Sequence, residues 1–238
     1  MVFGAILAGG IGSRMHNADM PKQFLPLGDK PVIVHTLEKF LTCQRFTKVY
    51  VGVHGDWQGY MNDLVEKYLP GLEDMVTVVS GGADRNGTIF NIIAQIESAY
   101  GESDEHIIVT HDAVRPFVSL RMIEENIDGA QKYGAVDTVV SAADTIVVSA
   151  DGKTISDIPN RAQMYQGQTP QSFRIHVLKE LYGSLSDEEK NILTDACKIC
   201  VVRQYPVHLV MGAVTNLKIT TPGDYKIAQA MVGGKICD

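Results

Sequence analysis

Basic residues are in the minority. Against 28 Asp and Glu the chain sets 21 Lys and Arg, a formal charge of −7 over 238 residues. Proteins of nucleic acids or membrane surfaces carry a basic field, so neither partner is expected. A few local cations still suffice to bind an anionic small molecule. Cysteine is scarce too: Cys43, Cys197, Cys200 and Cys237 are too few for a disulfide scaffold. Cys197-Lys-Ile-Cys200 has no second pair and no His cluster nearby, so a four-ligand zinc site is not expected. On a helix these thiols lie one turn apart and read as small buried hydrophobes. No apolar run approaches the roughly 18 residues of a membrane span. The apolar start, residues 1–10, lacks a cationic beginning and a cleavage site, so the expected compartment is the cytoplasm. Repeats, low-complexity tracts and linkers are missing as well.

What is present is ordinary globular composition, 45% hydrophobic and 21% charged, in a chain long enough to bury a core without staples. Val2 to Leu7, Lys48 to Val53, Val76 to Val79, His106 to Thr110 and Ala135 to Val140 read as strands. Helical patterns over Pro31 to Phe40, Asn62 to Tyr68, Thr88 to Tyr100 and Leu120 to Lys132 lie between them. The alternation predicts an α/β fold, a Rossmann-like, mostly parallel sheet with helices on both faces. Ligands of such sheets bind beyond the carboxyl ends of the strands. After Val140 the rhythm changes. Asp144 to Val148 and Lys153 to Asp157, joined through Asp151-Gly152, read as a β-hairpin. A hairpin with so little core packs on something else, often a second subunit. Ser186 and Thr194-Asp195 read as two helix starts. The expected organisation is one domain, 1–238, with a protruding arm at about 141–172.

Four segments carry chemistry. The first βα turn is Leu7-Ala-Gly-Gly-Ile-Gly-Ser-Arg-Met15. Its glycines let the backbone approach a ligand and turn amides onto phosphate oxygens. No Gly-Lys-Ser/Thr triplet follows, and Met15 stands where a dinucleotide fingerprint needs its third glycine. Arg14 and Lys22 add two cations, which suits a triphosphate; the plainer reading is a tight turn with two solvated cations. Ser80-Gly-Gly-Ala-Asp-Arg-Asn-Gly-Thr88 again sets glycines before a helix, as readers of a base or ribose or simply as a capped helix start. Thr110-His-Asp-Ala-Val-Arg-Pro116 ends an apolar strand. Asp112 there can hold Mg²⁺, which takes one or two carboxylates plus phosphates, or can pair with Arg115. His111 beside it is a candidate proton carrier, although such a histidine is more often structural. Lys218 reads as part of a short alternating strand, either clamping a phosphate or protecting a sheet edge.

Two glycine turns, several cations and one strand-end Asp fit phosphoryl or nucleotidyl transfer, where the protein supplies position and positive charge. A phosphate monoester nucleophile, with a second pKa of about 6, is largely ionised at neutral pH and needs no base. The lack of a Ser-His-Asp or Cys-His set agrees with that. A nicotinamide-dependent reductase on the same sheet is disfavoured by Met15, and a non-catalytic nucleotide sensor by the joint presence of Arg14, Lys22, Asp112 and Lys218.

The two glycine segments, Pro21-Lys-Gln, His111-Asp-Ala-Val-Arg-Pro, Gln168-Thr-Pro-Gln, Thr194-Asp and Asn216-Leu-Lys-Ile-Thr together resemble the cytidylyltransferases that make CDP-alditols, a family acting on methylerythritol phosphate or ribitol 5-phosphate. The resemblance covers nearly the whole chain. Val53-His-Gly-Asp-Trp57, Ile158 to Gln168 and Leu193 to Lys198 look more like the ribitol-phosphate branch, which feeds wall teichoic acid synthesis. The resemblance implies CTP and an alditol phosphate as substrates, Mg²⁺ as cofactor, and CDP-alditol and pyrophosphate as products. It assigns Arg14, Lys22 and Lys218 to the triphosphate and the transition state. Leu7, Ala8, Gly9, Gly10, Gly12, Gly81, Gly82, Arg85 and Thr88 fall to the nucleotide, with Ala83 where the family has a small polar or acidic residue. Asp112 falls to the metal, and Thr145, Arg161, Thr194 and Asp195 to the alditol phosphate. In the family the arm reaches into the neighbouring subunit, which implies a homodimer with shared sites, and a reductase is expected to supply ribitol phosphate.

Overall fold

A computed structural model describes residues 1–10, 20–193 and 195–234. Its strands are β1 (Val2–Ala8), β2 (Pro26–Leu27), β3 (Lys30–Pro31), β4 (Lys48–Val53), β5 (Val76–Ser80), β6 (Ile107–Asp112), β7 (Ala135–Ser141), β8 (Tyr165–Arg174) and β9 (His208–Met211). Its helices are α1 (Val32–Thr42), α2 (Gln58–Tyr68), α3 (Arg85–Tyr100), α4 (Leu120–Tyr133), α5 (Ile175–Gly183), α6 (Asp187–Asn191), α7 (Ala196–Val202) and α8 (Pro222–Val232). Among the described residues seven strands make one sheet in the order β5-β4-β1-β6-β8-β7-β9, and β2 and β3 pair separately. β1 lies parallel to β4 and β6, β4 to β5, and β7 to β9, while β8 runs antiparallel between β6 and β7.

β1, β4 and β6 are apolar runs because both faces of the sheet are covered. On one face Ile33, Leu37 and Phe40 of α1, Met61 and Leu64 of α2, and Met122, Ile123 and Ile127 of α4 pack over Ile6, Val49 and Val109. On the other, Ile89, Ile92 and Ile96 of α3, Leu178 of α5 and Cys197 and Cys200 of α7 pack over Phe3, Tyr50, Ile108 and Phe173. The helix ends follow local chemistry. Ser119 caps α4 by accepting the Met122 amide, and Gly134, at φ +85°, ends it. Ser186 caps α6 and Asp195 caps α7, the two starts expected there. Cys197 and Cys200 are buried free thiols, one turn apart on α7, and burial pushes the Cys200 thiol up to about 12.

Three expectations change. First, residues 144–157 do not form a ladder: one bridge, Val148 with Asp157, joins the two arms of the excursion. The tip is held instead by the Asp151 carboxylate, which accepts the Lys153 and Thr154 amides at 2.8 Å each. A side chain that takes the turn's amides substitutes for cross-strand pairing. Second, the excursion spans 142–164 rather than 141–172, because Tyr165–Arg174 is a strand of the main sheet. Its buried residues are largely polar and satisfied sideways, as Ser172 Oγ to Asn126 Oδ1 at 3.1 Å shows, so apolar periodicity does not find it. Third, Lys218 is not on a strand. Residues 217–220 belong to no strand or helix, and the Ile219 amide bonds the Val114 carbonyl at 2.9 Å without forming a ladder.

Candidate active site at the carboxyl ends of the strands

From β1 the chain builds outward to β4 and β5, and α3 then carries it back across to β6 on the other side of β1. That reversal is the topological switch point where ligands of such sheets bind. Leu7 and Asp112 face each other across it. Leu7, Gly9, Gly10, Gly82, Ala83, Asp84, Arg85, Thr88 and Asp112 line one open pocket there.

Asp112 is 7% exposed and is the electrostatic hub. Lys218 Nζ lies 2.9 Å and Arg115 Nε 3.4 Å from Oδ2, and Arg85 Nε lies 3.7 Å from Oδ1. Burial alone would push this carboxyl up; the charges of Arg85, Lys218 and Arg115 outweigh it and hold the group well below the usual carboxylate range. Three cations converging on one carboxylate leave local positive charge in an acidic chain. That is the field a polyphosphate needs.

Neighbouring segments fix this arrangement. β8 carries an irregularity opposite Asp137 and Val139, which frees Gln168, Thr169 and Pro170 from regular pairing. Thr169 Oγ1 accepts the Asp112 amide at 3.2 Å and lies 2.9 Å from His111 Nδ1. His111 Nε2 bonds the Arg115 carbonyl at 3.1 Å. A carbonyl only accepts, so Nε2 carries the proton and Nδ1 accepts from Thr169. Burial holds the imidazole down at about 4. Neutral and bonded at both nitrogens, His111 is a structural strut. Asn216 Nδ2 reaches the Thr169 carbonyl at 2.8 Å, and Arg115 Nη1 reaches the Asn216 carbonyl at 2.8 Å. These bonds tie the Lys218 segment to the end of β6.

The first glycine turn is held from a distance. Gln23, buried, donates from Nε2 to the Ala8 carbonyl at 2.7 Å and the Gly10 carbonyl at 3.0 Å. Its chain neighbour Lys22 starts the Lys22–Phe24 turn. Among the described residues, a Cβ at Gly10 would meet nothing within 4 Å. Gly12 and Arg14 lie outside the described residues.

In the second glycine segment the Asp84 side chain caps α3 by accepting the Gly87 amide at 2.7 Å, a role neither Asn86 nor Thr88 takes. Gly82 has no alternative: a Cβ there would lie 2.7 Å from Gly87 Cα. Thr88 Oγ1 accepts the Gly82 amide at 3.0 Å and donates to the Asp84 carbonyl at 2.9 Å, so its hydroxyl shapes the turn. Gly81 follows β5, with its amide on the Val53 carbonyl at 2.7 Å.

The alditol-side residues are more dispersed. Thr145 and Arg161 are exposed on the excursion, and Arg161 Nη1 bonds the Ala143 carbonyl at 3.0 Å. Asp195 caps α7 through the Lys198 amide at 2.9 Å. Thr194 lies outside the described residues. A second depression, with Ala143 and Asp144 at the base of the excursion, Gln168 and Lys218 in its walls, joins the two regions.

Gln23, Thr169 and Asn216 were not read as site residues. Each lies in a segment that carries the family resemblance, which was the signal available, and each acts on backbone atoms far away in sequence. Among the described residues no three His, Cys, Asp or Glu gather as a metal cluster. Asp112 nonetheless fits a cation brought with substrate, being ionised, at the pocket wall, and of the donor type that Mg²⁺ shares with phosphate oxygens. No described helix is long and apolar enough to cross a membrane.

Residues 2–234 match the family described as 2-C-methyl-D-erythritol 4-phosphate cytidylyltransferase. A ribitol-5-phosphate cytidylyltransferase of Streptococcus pneumoniae serotype 4 is 56% identical over 232 residues, covering 98% of this chain and 99% of that one. Among solved structures, the 4-diphosphocytidyl-2C-methyl-D-erythritol synthase of Anaerococcus prevotii matches with a TM-score of 0.79 at 25% identity, over 98% of this chain and 96% of that one. The 2-C-methyl-D-erythritol 4-phosphate cytidylyltransferase of Thermus thermophilus matches with a TM-score of 0.71 at 26% identity, over 98% of this chain and all (100%) of that one. With the family matched over almost its full length and the fold shared, this chain is a nucleotidyltransferase that belongs to the 2-C-methyl-D-erythritol 4-phosphate cytidylyltransferase family.

Proposed function

We propose that this chain transfers the cytidylyl group of CTP to D-ribitol 5-phosphate, giving CDP-ribitol and pyrophosphate. The observation that carries the chemistry is the convergence of Lys218, Arg115 and Arg85 on Asp112 at the strand ends, beside the glycine turn that Gln23 holds. The choice of ribitol phosphate is supported by the 56% identity to enzymes of that name across nearly the whole chain.

A phosphate oxygen of ribitol 5-phosphate attacks the α-phosphorus of CTP, the new P–O bond forms, and the bond to pyrophosphate breaks. The attacking monoester, with a second pKa of about 6, is already ionised near neutrality. No base is needed, in keeping with a buried, neutral His111. Lys22 and Arg14 neutralise the triphosphate and the charge that builds at the α-phosphorus, and Lys218 grips phosphate oxygens. Ala8, Gly9, Gly10 and Gly12 lie along the nucleotide, and Gly81, Gly82, Arg85 and Thr88 hold its cytosine and ribose. Mg²⁺, held by Asp112, would supply further charge neutralisation of the triphosphate.

Thr145, Arg161, Thr194 and Asp195 belong to the alditol-phosphate side. The excursion exposes Val147, Val148, Ile155 and Ile158, a set of apolar side chains that calls for a covering surface. This supports a homodimer in which the arm of one protomer completes its partner's site. The chain would then act as one domain with an arm, in the cytoplasm, with a reductase supplying ribitol phosphate and teichoic acid synthesis consuming CDP-ribitol.

Pyrophosphate release from CTP and Mg²⁺, with either D-ribitol 5-phosphate or methylerythritol 4-phosphate, tests this reading. Faster release with ribitol phosphate is expected. Preference for methylerythritol phosphate would move the protein to isoprenoid synthesis and leave the phosphoryl chemistry unchanged.

A further inference from the structure

On the face of the sheet covered by α3 and α7, a second carboxyl stands beside the Asp112 site. Asp137 of β7 faces Gln171 of β8, and Gln171 Nε2 donates to Asp137 Oδ1 at 3.0 Å. The Cys197 thiol of α7 lies near enough to favour the ionised form of the same carboxyl, the charge of Arg85 favours it too, and that of Asp195 opposes it. Burial raises the carboxyl to about 6. A half-buried acid held at that disadvantage, with one apolar helix packed over it, is expensive for a purely structural tie.

The surrounding valences are incomplete. Gln171 Oε1 is buried with no donor, and Arg85 Nη1 is buried with no acceptor. Asp137 Oδ2 faces exposed Gly167, where a Cβ would stand 3.7 Å away, so a side chain at that position would cover it. The unfilled Gln171 acceptor and the Asp137 carboxylate beside it are groups that a hydroxyl can donate to, and Arg85 brings an unfilled donor, which a hydroxyl can accept from. Arg85 gives the direction. Its Nε faces Asp112, where phosphate chemistry is placed, and its charge also reaches Asp137. A chain of carbinol groups leading away from a phosphate would run along that line.

We propose that Asp137, supported by Gln171 and Arg85, reads hydroxyl groups of the open-chain polyol and so sets the alditol specificity of the reaction. This rests on the alditol phosphate reading above and adds the residue that recognises the polyol part rather than the phosphate.

The test is steady-state kinetics of the full-length enzyme and of Asp137→Asn, with CTP, ribitol 5-phosphate and ribitol 5-phosphate analogues lacking one hydroxyl. Asp137→Asn keeps the shape and removes the charge. It is expected to raise KM for ribitol 5-phosphate by about tenfold, leave KM for CTP within about twofold, and shrink the preference over a deoxy analogue by about tenfold. Cys197→Ala removes the thiol near the same carboxyl and is expected to keep that preference. An unchanged preference in Asp137→Asn, or an equal loss in Cys197→Ala, would overturn the proposal in favour of a structural tie. Failure of the ribitol reading is visible separately, in the wild-type enzyme. Were the wild type to use methylerythritol phosphate instead, the same split is read on that polyol: a rise in its KM alone upholds the role of Asp137, and no rise removes it.

Discussion

Asp112 is held by Arg115 of its own segment and by Arg85 and Lys218 from two distant stretches of the chain, whereas Arg161 bonds the Ala143 carbonyl within its own excursion. The strand ends have a covered sheet beneath them, and Thr169, Asn216 and Arg115 tie their segments together there by hydrogen bonds. The excursion at 142–164 has one bridge, an Asp151 turn and four exposed aliphatic residues. One region is bonded within the protomer; the other leaves its large aliphatic side chains exposed. In the function proposed above, the chemistry belongs to the strand ends and the choice of acceptor to elements that fold against them, including the arm.

The sharpest way to break this contrast is Lys22→Ala. If Lys22 acts in the transition state, kcat falls by about 10² to 10³ and KM for CTP moves much less. Pyrophosphate release over a CTP titration checks this, and an unchanged kcat would remove the role. A second test concerns His111. Burial lowers its pKa from 6.5 to about 4, so between those values the unfolded chain binds the extra proton. Stability is then lost as pH falls from about 6.5 towards 4, by up to about 3 kcal/mol from this group. Chemical denaturation at pH 7 and pH 5 should show the loss, and His111→Gln should reduce it. Because His111 stays neutral above this range, kcat should not follow an ionisation of this residue between pH 6 and 8. The smallest effect is expected in the arm. Arg161→Ala should raise KM for the alditol phosphate by about tenfold with little change for CTP. Mixed dimers of Arg161→Ala and Lys22→Ala chains should recover activity above either parent if the arm acts across the interface; no recovery would make the two regions parts of one protomer's site.

Much of the lining of the strand-end pocket was legible because its signals are local. Glycines before a helix, an apolar run ending in Asp112 and a lysine after a proline all announce themselves within a few residues. Gln23, Thr169, Asn216 and Asp137 were not legible in this way. Their partners lie on other elements: Gln23 on Ala8 and Gly10, Thr169 on His111 and Asp112, Asn216 on Thr169, and Asp137 on Gln171. β8 escaped for the same reason, since a strand whose buried side chains are satisfied by hydrogen bonds carries no apolar alternation. Lys218 was placed on a strand because its neighbours alternate, yet the Ile219 amide bonds the Val114 carbonyl and no ladder forms.

By itself the sequence determined the layered α/β architecture, the places where strands end in glycine or aspartate, and the kinds of charge available there, because periodicity, turn chemistry and capping act over a few residues. Only the tertiary structure decided that Arg85, Arg115 and Lys218, from three separate segments, share one carboxylate. It also decided that His111 is locked neutral and that Asp137 stands beside them. These outcomes depend on burial and on distances between elements far apart in the chain, and electrostatic strength is set by those two quantities.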